Sequence, residues 1–229
     1  IREGVPAFAE IPIADMLKTR WYPIEGHYGL LPLIAGSLLI TLGAAVIALP
    51  LGIATAIFIA EIIPDWAREI LKPLVEVLAG IPSVVIGFMG MIVIAPQFRT
   101  LFNIPTGLTA FTGMVLLAWM ALPTVVSVVE DVLDTVPKTY RDAGLALGMT
   151  RWQTIARIVL PAGKSGILTA LMLGIGRAIG ETMTVMMVTG NAPRLPNGPL
   201  DIFMPARTMT ATIAAEMGEV AQGGTHYHV

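Results

Sequence analysis

The sequence predicts an all-α, polytopic membrane protein. Residues 26–60, 77–98 and 100–129 contain no Asp, Glu, Lys or Arg. A hydrocarbon core of about 30 Å needs about 20 apolar residues at about 1.5 Å of rise each, so every one of these stretches is long enough to span. Charged residues make up 13% of the chain, well under the share found in ordinary soluble domains. Buried helices of a large enzyme would raise the apolar fraction, but they would not clear charge from such long stretches.

Residues 1–29 are mixed in character and carry Trp21, Tyr22 and Tyr28. Such aromatics favour the headgroup level, so a loop or short interfacial helix is expected. The first span is expected over Ile34–Ile59, with Pro50 removing one backbone donor inside it. A short charged connection, Glu61 to Pro73, leads to a second span over Leu74–Ala95, interrupted by Gly80-Ile81-Pro82. The third is expected from Leu108 to Val129 with Pro123 inside, followed by Glu130, Asp131 and Asp134. Acids at a helix C-terminus oppose its dipole, so these should be solvated or paired. The fourth is expected from Ser165 to Thr189. Residues 190–206 are rich in Pro, Gly and Asn, including Pro199. Residues 207–221 look helical, but Arg207, Glu216 and Glu219 argue against a span. Residues 34–190 therefore hold four spans in one transmembrane domain covering 1–229.

Loops 61–73 and 132–164 lie on one side of such a four-span chain. They carry Arg68, Lys72, Lys138, Arg141, Arg151, Arg157 and Lys164. The longer segments opposite carry Arg2, Lys18, Arg20, Arg99, Arg194 and Arg207. The denser side is expected to be cytoplasmic, leaving 1–33 and 191–229 external. The chain starts at Ile1 without a signal-peptide pattern and stops at Val229, and is expected to be a piece of a longer protein.

Several function classes recede. A formal net charge of −2 offers no basic footprint for nucleic acid. The absence of cysteine removes thiolate zinc sites and cysteine nucleophiles. Gly163-Lys164-Ser165 ends like a P-loop, but that motif needs a glycine at 158, which is Ile. ATP hydrolysis is therefore expected in a partner. His226 and His228 are too few ligands for a zinc site, and the methionines suit helix packing. No cofactor is expected.

The 132–164 loop is more structured than a connector needs to be. Pro137 suits the first position of a short helix. Gly148 suits a left-handed C-terminal cap. Thr150 and Gln153 have the spacing of a capping box opening a second helix. Asp142-Ala143-Gly144, then Gly148, then Ile158-Val159-Leu160-Pro161 resembles the coupling motif of ABC importer permeases, which begins Glu-Ala-Ala and ends Ile-x-Leu-Pro. In that family the short helix lies in a groove of the ATPase subunit and passes its closure to the membrane helices. The departures are Asp142 for Glu and Gly144 for the second Ala. Glycine lowers helix propensity by up to about 1 kcal/mol relative to alanine.

Leu78-Ala79-Gly80-Ile81-Pro82-Ser83-Val84-Val85, Arg177-Ala178-Ile179-Gly180-Glu181-Thr182-Met183 and Thr208-Met209-Thr210 narrow the resemblance. With Trp21-Tyr22-Pro23 they are similar to the phosphate-specific ABC permeases, the PstC-type subunit most closely, collinearly along nearly the whole chain. The resemblance implies a type I ABC importer permease (MetI-like) fold, normally of six membrane helices, here lacking the first and last. It implies ATP-driven import of inorganic phosphate across the cytoplasmic (inner) membrane of a bacterium or archaeon. The implied partners are a homologous second permease subunit, an ABC ATPase dimer, an external phosphate-binding protein and membrane lipid.

Arg177 and Glu181 are the only charges in the stretch 165–193. A charge at the bilayer centre costs about 2.5–3.5 kcal/mol on insertion scales, and such a residue is a functional hypothesis by default. Four apart, the two can pair on one helix face. One reading is a self-neutralising pair that holds helices together, although an apolar pair would do so without desolvation. The other is a pathway or gate, in which Arg177 meets an anionic substrate transiently while Glu181 positions it and limits trapping. Pro50, Pro82 and Pro123 are candidate hinges or simple kinks. Three alternatives stand beside phosphate import: a permease for another oxyanion, such as sulfate or molybdate, a membrane-embedded enzyme using Glu181, and a scaffold with no transport role.

Overall fold

The computed structural model describes residues 11–196, 198, 201–220 and 225–228. Arg2 and Pro199, which entered the sequence reading, lie outside them. The described elements are helical apart from one small hairpin. They begin with α1 (Ile13–Met16) and the pair β1 (Trp21–Tyr22) and β2 (His27–Tyr28), antiparallel with Trp21 opposite Tyr28. Then come α2 (Leu31–Ile57), α3 (Asp65–Ala79), α4 (Ser83–Met89), α5 (Ala95–Leu101) and α6 (Ala110–Thr135). The remainder is α7 (Lys138–Ala146), α8 (Arg151–Thr154), α9 (Leu160–Ala162), α10 (Lys164–Gly180), α11 (Met183–Val188), α12 (Met209–Glu216) and α13 (Thr225–His228). Three π-helical turns, Phe58–Ile62, Gly90–Ile94 and Ile155–Val159, extend or join these helices.

Among the described residues, three continuous helices are long and apolar enough to cross a bilayer: Leu31–Ile62, Ser83–Leu101 and Ala110–Thr135. Pro50 and Pro123 sit inside the first and third without ending them. A fourth span exists if Arg151–Ala162 and Lys164–Gly180, bent by 74° at Gly163, count as one.

The two largest differences from the sequence expectation each have a physical reason. Leu74–Ala79 belongs to α3, which runs through Pro73 and ends before the Gly80-Ile81-Pro82 break. The helix is two-faced: Val75 packs inward, while Trp66, Ile70, Leu74 and Val77 stay exposed. An apolar stripe on a charged helix therefore read as the start of a span, which actually begins at Ser83. The expected fourth span, Ser165–Thr189, is broken after Gly180, and a separate short helix starts at Met183.

The chain folds as two compact units. One comprises Ile1–Ala44, Pro82–Leu117 and Ile179–Val229; the other comprises Ala45–Ile81 and Ala118–Ala178. In the first, Phe98, Phe102, Phe111 and Phe203 form an aromatic cluster with ring centroids 4.9–5.8 Å apart. Glu216 there joins Arg207 at 2.6 Å and His226 at 2.9 Å. In the second unit, Ala56, Ile57, Val125, Val126, Val129, Leu133, Ile155, Val159 and Ala170 make one buried core. Val125 is fully buried, and α2 and α10 approach it closely through Gly52 and Gly174, where an added Cβ would come within 2.7 and 2.5 Å of its methyl carbons. This core carries the 138–160 segment and Arg177.

Candidate functional site

The 138–160 segment folds much as its residues dictate. Pro137 is the N-cap of α7, one residue before the first helical position expected for it. Gly148 adopts φ +79°, the left-handed region that glycine enters at no steric cost, and its N–H donates to the Leu145 carbonyl at 2.9 Å. Beyond it the capping box closes in both directions. Gln153 N donates to Thr150 Oγ1 at 3.2 Å, and Thr150 N donates to Gln153 Oε1 at 2.9 Å.

The two faces of α7 differ. Asp142 and Ala143 are exposed, and so are the apolar side chains of Tyr140, Leu145, Leu147 and Trp152 around them. Gly144 is buried against the turn that begins at Thr154. A Cβ there would lie 2.9 Å from Ile158 Cδ1 and 2.9 Å from Thr154 Oγ1. Its conformational cost as a helical glycine therefore accompanies close packing. Leu160 packs partly against the buried core, and Pro161 is exposed.

Arg141 points the other way from its neighbour Asp142. Its Nη2 reaches Glu61 Oε1 at 2.6 Å and donates to the Leu133 carbonyl at 2.8 Å. Its Nε lies 3.1 Å from both Glu61 oxygens, and its Nη1 donates to the Val136 carbonyl at 2.5 Å. Sequence reasoning placed Glu61 in a charged connector and counted Arg141 only toward orientation. The available signal was Glu61 itself, the first charge after a long charge-free run.

A second cluster ties α3 to the end of α6. The Glu130 carboxylate, 1% exposed, pairs with Arg68 through Oε1 and with Lys72 through Oε2 at 2.6 Å. Arg68 also reaches Asp134 at 3.1 Å, and Lys72 reaches Asp131 at 2.6 Å. The acids following the third span are thus paired. Burial by itself would lower the Arg68 pKa, but hydrogen bonds to Glu130 and Asp134 outweigh it and hold the guanidinium above its ordinary value. Hydrogen bonds to Asp131 and then Glu130 hold the Lys72 ammonium above its ordinary value, against a smaller opposing effect of burial.

Arg177 and Glu181 belong to separate units and bond to separate partners. Arg177 stands in the last turn of α10. It donates from Nη1 to Thr124 Oγ1 at 2.8 Å, beside Pro123, and from Nη2 to the Ala79 carbonyl at 3.2 Å. Ala79 ends α3, so this bond satisfies one of the orphan carbonyls of a helix C-terminus. Both partners are neutral oxygens. Glu181 lies beyond the end of α10, so the two residues are not four apart on one continuous helix. Its Oε1 accepts the Thr184 N–H at 3.0 Å, and its own carbonyl accepts from Thr210 Oγ1 at 3.1 Å. Thr184 in turn donates to the Ser83 carbonyl at 2.9 Å, one residue past Pro82.

Residues 48–215 match the family model described as "Binding-protein-dependent transport system inner membrane component". The chain belongs to this family. The matched range includes all of the 138–160 segment, Arg177, Glu181 and nearly all of α12. As an inner membrane component it is multi-pass, in keeping with its long apolar helices. Three relatives are similar along most of its length. The "Probable ABC transporter permease protein YqgH" of Bacillus subtilis (strain 168) is 42% identical, covering 93% of this chain and 68% of that protein. The "Phosphate transport system permease protein PstC" of Mesorhizobium japonicum is 38% identical, covering 93% and 70%. That of Pasteurella multocida is 34% identical, covering 94% and 72%. Among solved structures, an inward facing conformation of the MetNI methionine ABC transporter matches with a TM-score of 0.58 at 19% identity. It covers 85% of this chain and 82% of its own, and supports the MetI-like fold.

Proposed function

We propose that this chain is a permease subunit of an ATP-driven importer that carries inorganic phosphate inward across the cytoplasmic membrane of a bacterium or archaeon. The observation that carries the substrate is its similarity, over more than nine-tenths of its length, to permeases of phosphate transport systems. The arrangement at Arg177 fits an anion. Its guanidinium is held by Thr124 Oγ1 and the Ala79 carbonyl, so its charge is positioned without being cancelled by either partner. A carboxylate partner would weaken its pull on a passing anion, and conduction needs contacts that bind weakly and release.

In this reading the 138–160 segment faces the cytoplasm and docks on an ABC ATPase dimer through Asp142, Ala143, Gly148 and the exposed apolar side chains around them. A homologous second permease subunit completes the membrane pathway, and an external phosphate-binding protein delivers the ligand. Arg177 contributes to the pathway or its gate. Glu181 shapes the break between α10 and α11. Pro50, Pro82 and Pro123 serve as hinges of alternating access. The enzyme alternative loses ground because the similar proteins are permeases of transport systems.

The test uses the full-length protein in proteoliposomes with its second permease, ATPase and binding protein, following labelled phosphate with sulfate as competitor. ATP-dependent uptake that ignores sulfate is the expected result. Gly148→Asp should abolish it together with ATPase docking, and Arg177→Gln should abolish it with docking intact. Uptake of sulfate or molybdate in place of phosphate would overturn the substrate assignment.

A further inference from the structure

Arg141 turns its side chain from α7 toward the ends of α2 and α6. Its neighbours Asp142 and Ala143 face solvent, whereas its guanidinium closes on three positions from two other helices. Glu61 lies in the π-helical turn Phe58–Ile62 that extends α2, and its carboxylate is 8% exposed. Leu133 lies in the last turn of α6, where its carbonyl also accepts the Val136 N–H at 3.3 Å, and Val136 lies just beyond the helix. One planar side chain thus bonds the end of α2 and the end of α6 simultaneously. Such charge-assisted, multidentate bonds are short, strong and geometrically specific. A lysine, with a point charge on a flexible stem, cannot reproduce that fork.

We propose that Arg141 is a positioning residue that converts displacement of α7 into displacement of the first and third membrane helices. The inference rests on the reading above, in which α7 is the element pushed by the ATPase. On that reading, Asp142, Ala143 and the exposed apolar residues receive the motion. Arg141 delivers it to Glu61 and to the end of α6. The guanidinium fork cannot be displaced without breaking several bonds.

The test compares wild type, Arg141→Lys, Glu61→Gln and the double variant in the full assembled transporter. Three quantities are measured: ATP hydrolysis, phosphate moved per ATP hydrolysed, and thermal stability in detergent. The expected result is near-normal ATPase docking and hydrolysis in every variant. Phosphate moved per ATP falls about tenfold in each single variant, the scale of losing one hydrogen bond to a charged group, and no further in the double. Hydrolysis and uptake falling in proportion, or a lowered melting temperature with an unchanged ratio, would make Arg141 a stabilising residue and overturn the inference while leaving the permease reading intact. A wild-type assembly that hydrolyses ATP but moves no phosphate would instead overturn the phosphate reading, and the inference with it.

Discussion

Lys72 Nζ lies 2.6 Å from Glu130 Oε2, while Arg68 occupies the other oxygen of the same carboxylate. A two-faced helix outside the long apolar spans is thereby fastened to the end of α6 through a carboxylate that is almost wholly buried. Lys72 has a folded-state pKa above its ordinary 10.5. Its contribution to stability is therefore complete below about pH 10.5 and disappears as pH rises through the higher folded value. Thermal denaturation of the detergent-solubilised protein between pH 8 and pH 12 should show a loss of stability at the alkaline end. Lys72→Met should lower stability at neutral pH and flatten that alkaline dependence. An unchanged alkaline slope in Lys72→Met would assign the titration to another group.

Gly144 stands where the resemblance expects alanine, and the structure explains the departure. A methyl group would favour the helix by up to about 1 kcal/mol. Here it would press on Thr154, which is 4% exposed, stiff at χ1 and bonded through Oγ1 to the Thr150 carbonyl at 3.1 Å. Overpacking of this kind costs about 1–3 kcal/mol. Gly144→Ala should therefore lower the melting temperature, and adding Thr154→Ala should recover part of the loss. Recovery fails if the clash is not with Thr154.

Gly148 separates backbone strain from crowding. Its φ is +79° and nothing lies within 4 Å of an added Cβ, so an L-residue there meets conformational cost alone. Gly148→Ala should destabilise by about 1–2 kcal/mol. Gly148→Asn should cost less, since asparagine tolerates the left-handed region. Equal melting temperatures for the two variants would contradict a backbone origin.

Glu181 combines a charge with a hydrogen bond, and two substitutions divide them. Glu181→Gln keeps an oxygen for the Thr184 N–H, so it should melt near the wild-type temperature. Glu181→Ala removes the acceptor and should lose about 0.5–2 kcal/mol, as helix N-terminal acceptors do. If the charge serves transport, uptake falls in both. A Glu181→Gln protein with full uptake would leave Glu181 a purely local structural role.

What could be read in the sequence follows from distance along the chain. The Thr150–Gln153 capping box and the left-handed Gly148 depend on neighbours a few residues away, and both could be written down in advance. The charge-free runs gave three long helices because desolvation acts on each run separately. The Arg141–Glu61 bond joins residues 80 apart, and no local pattern announces it. The end of α10 was missed because Arg177-Ala178-Ile179-Gly180-Glu181 has a helical spacing; the Glu181 bond to Thr184 N that accompanies the break is visible only in three dimensions. Leu74 and Val77 misled for a related reason, since an exposed apolar stripe and the entry to a membrane have the same composition.

Two of the three π-helical turns carry a consequence for variation in chain length. A π turn holds one residue more than the α-helix it interrupts. Deleting one residue from Gly90–Ile94 or Ile155–Val159, which lie between α-helices, can be absorbed by a return to α geometry, with the flanking helices keeping their facing. The same deletion in the middle of α6 would turn everything beyond it by about 100°, carrying Val129 and Leu133 off the core. Homologous chains one residue shorter should therefore have their gaps at these two turns.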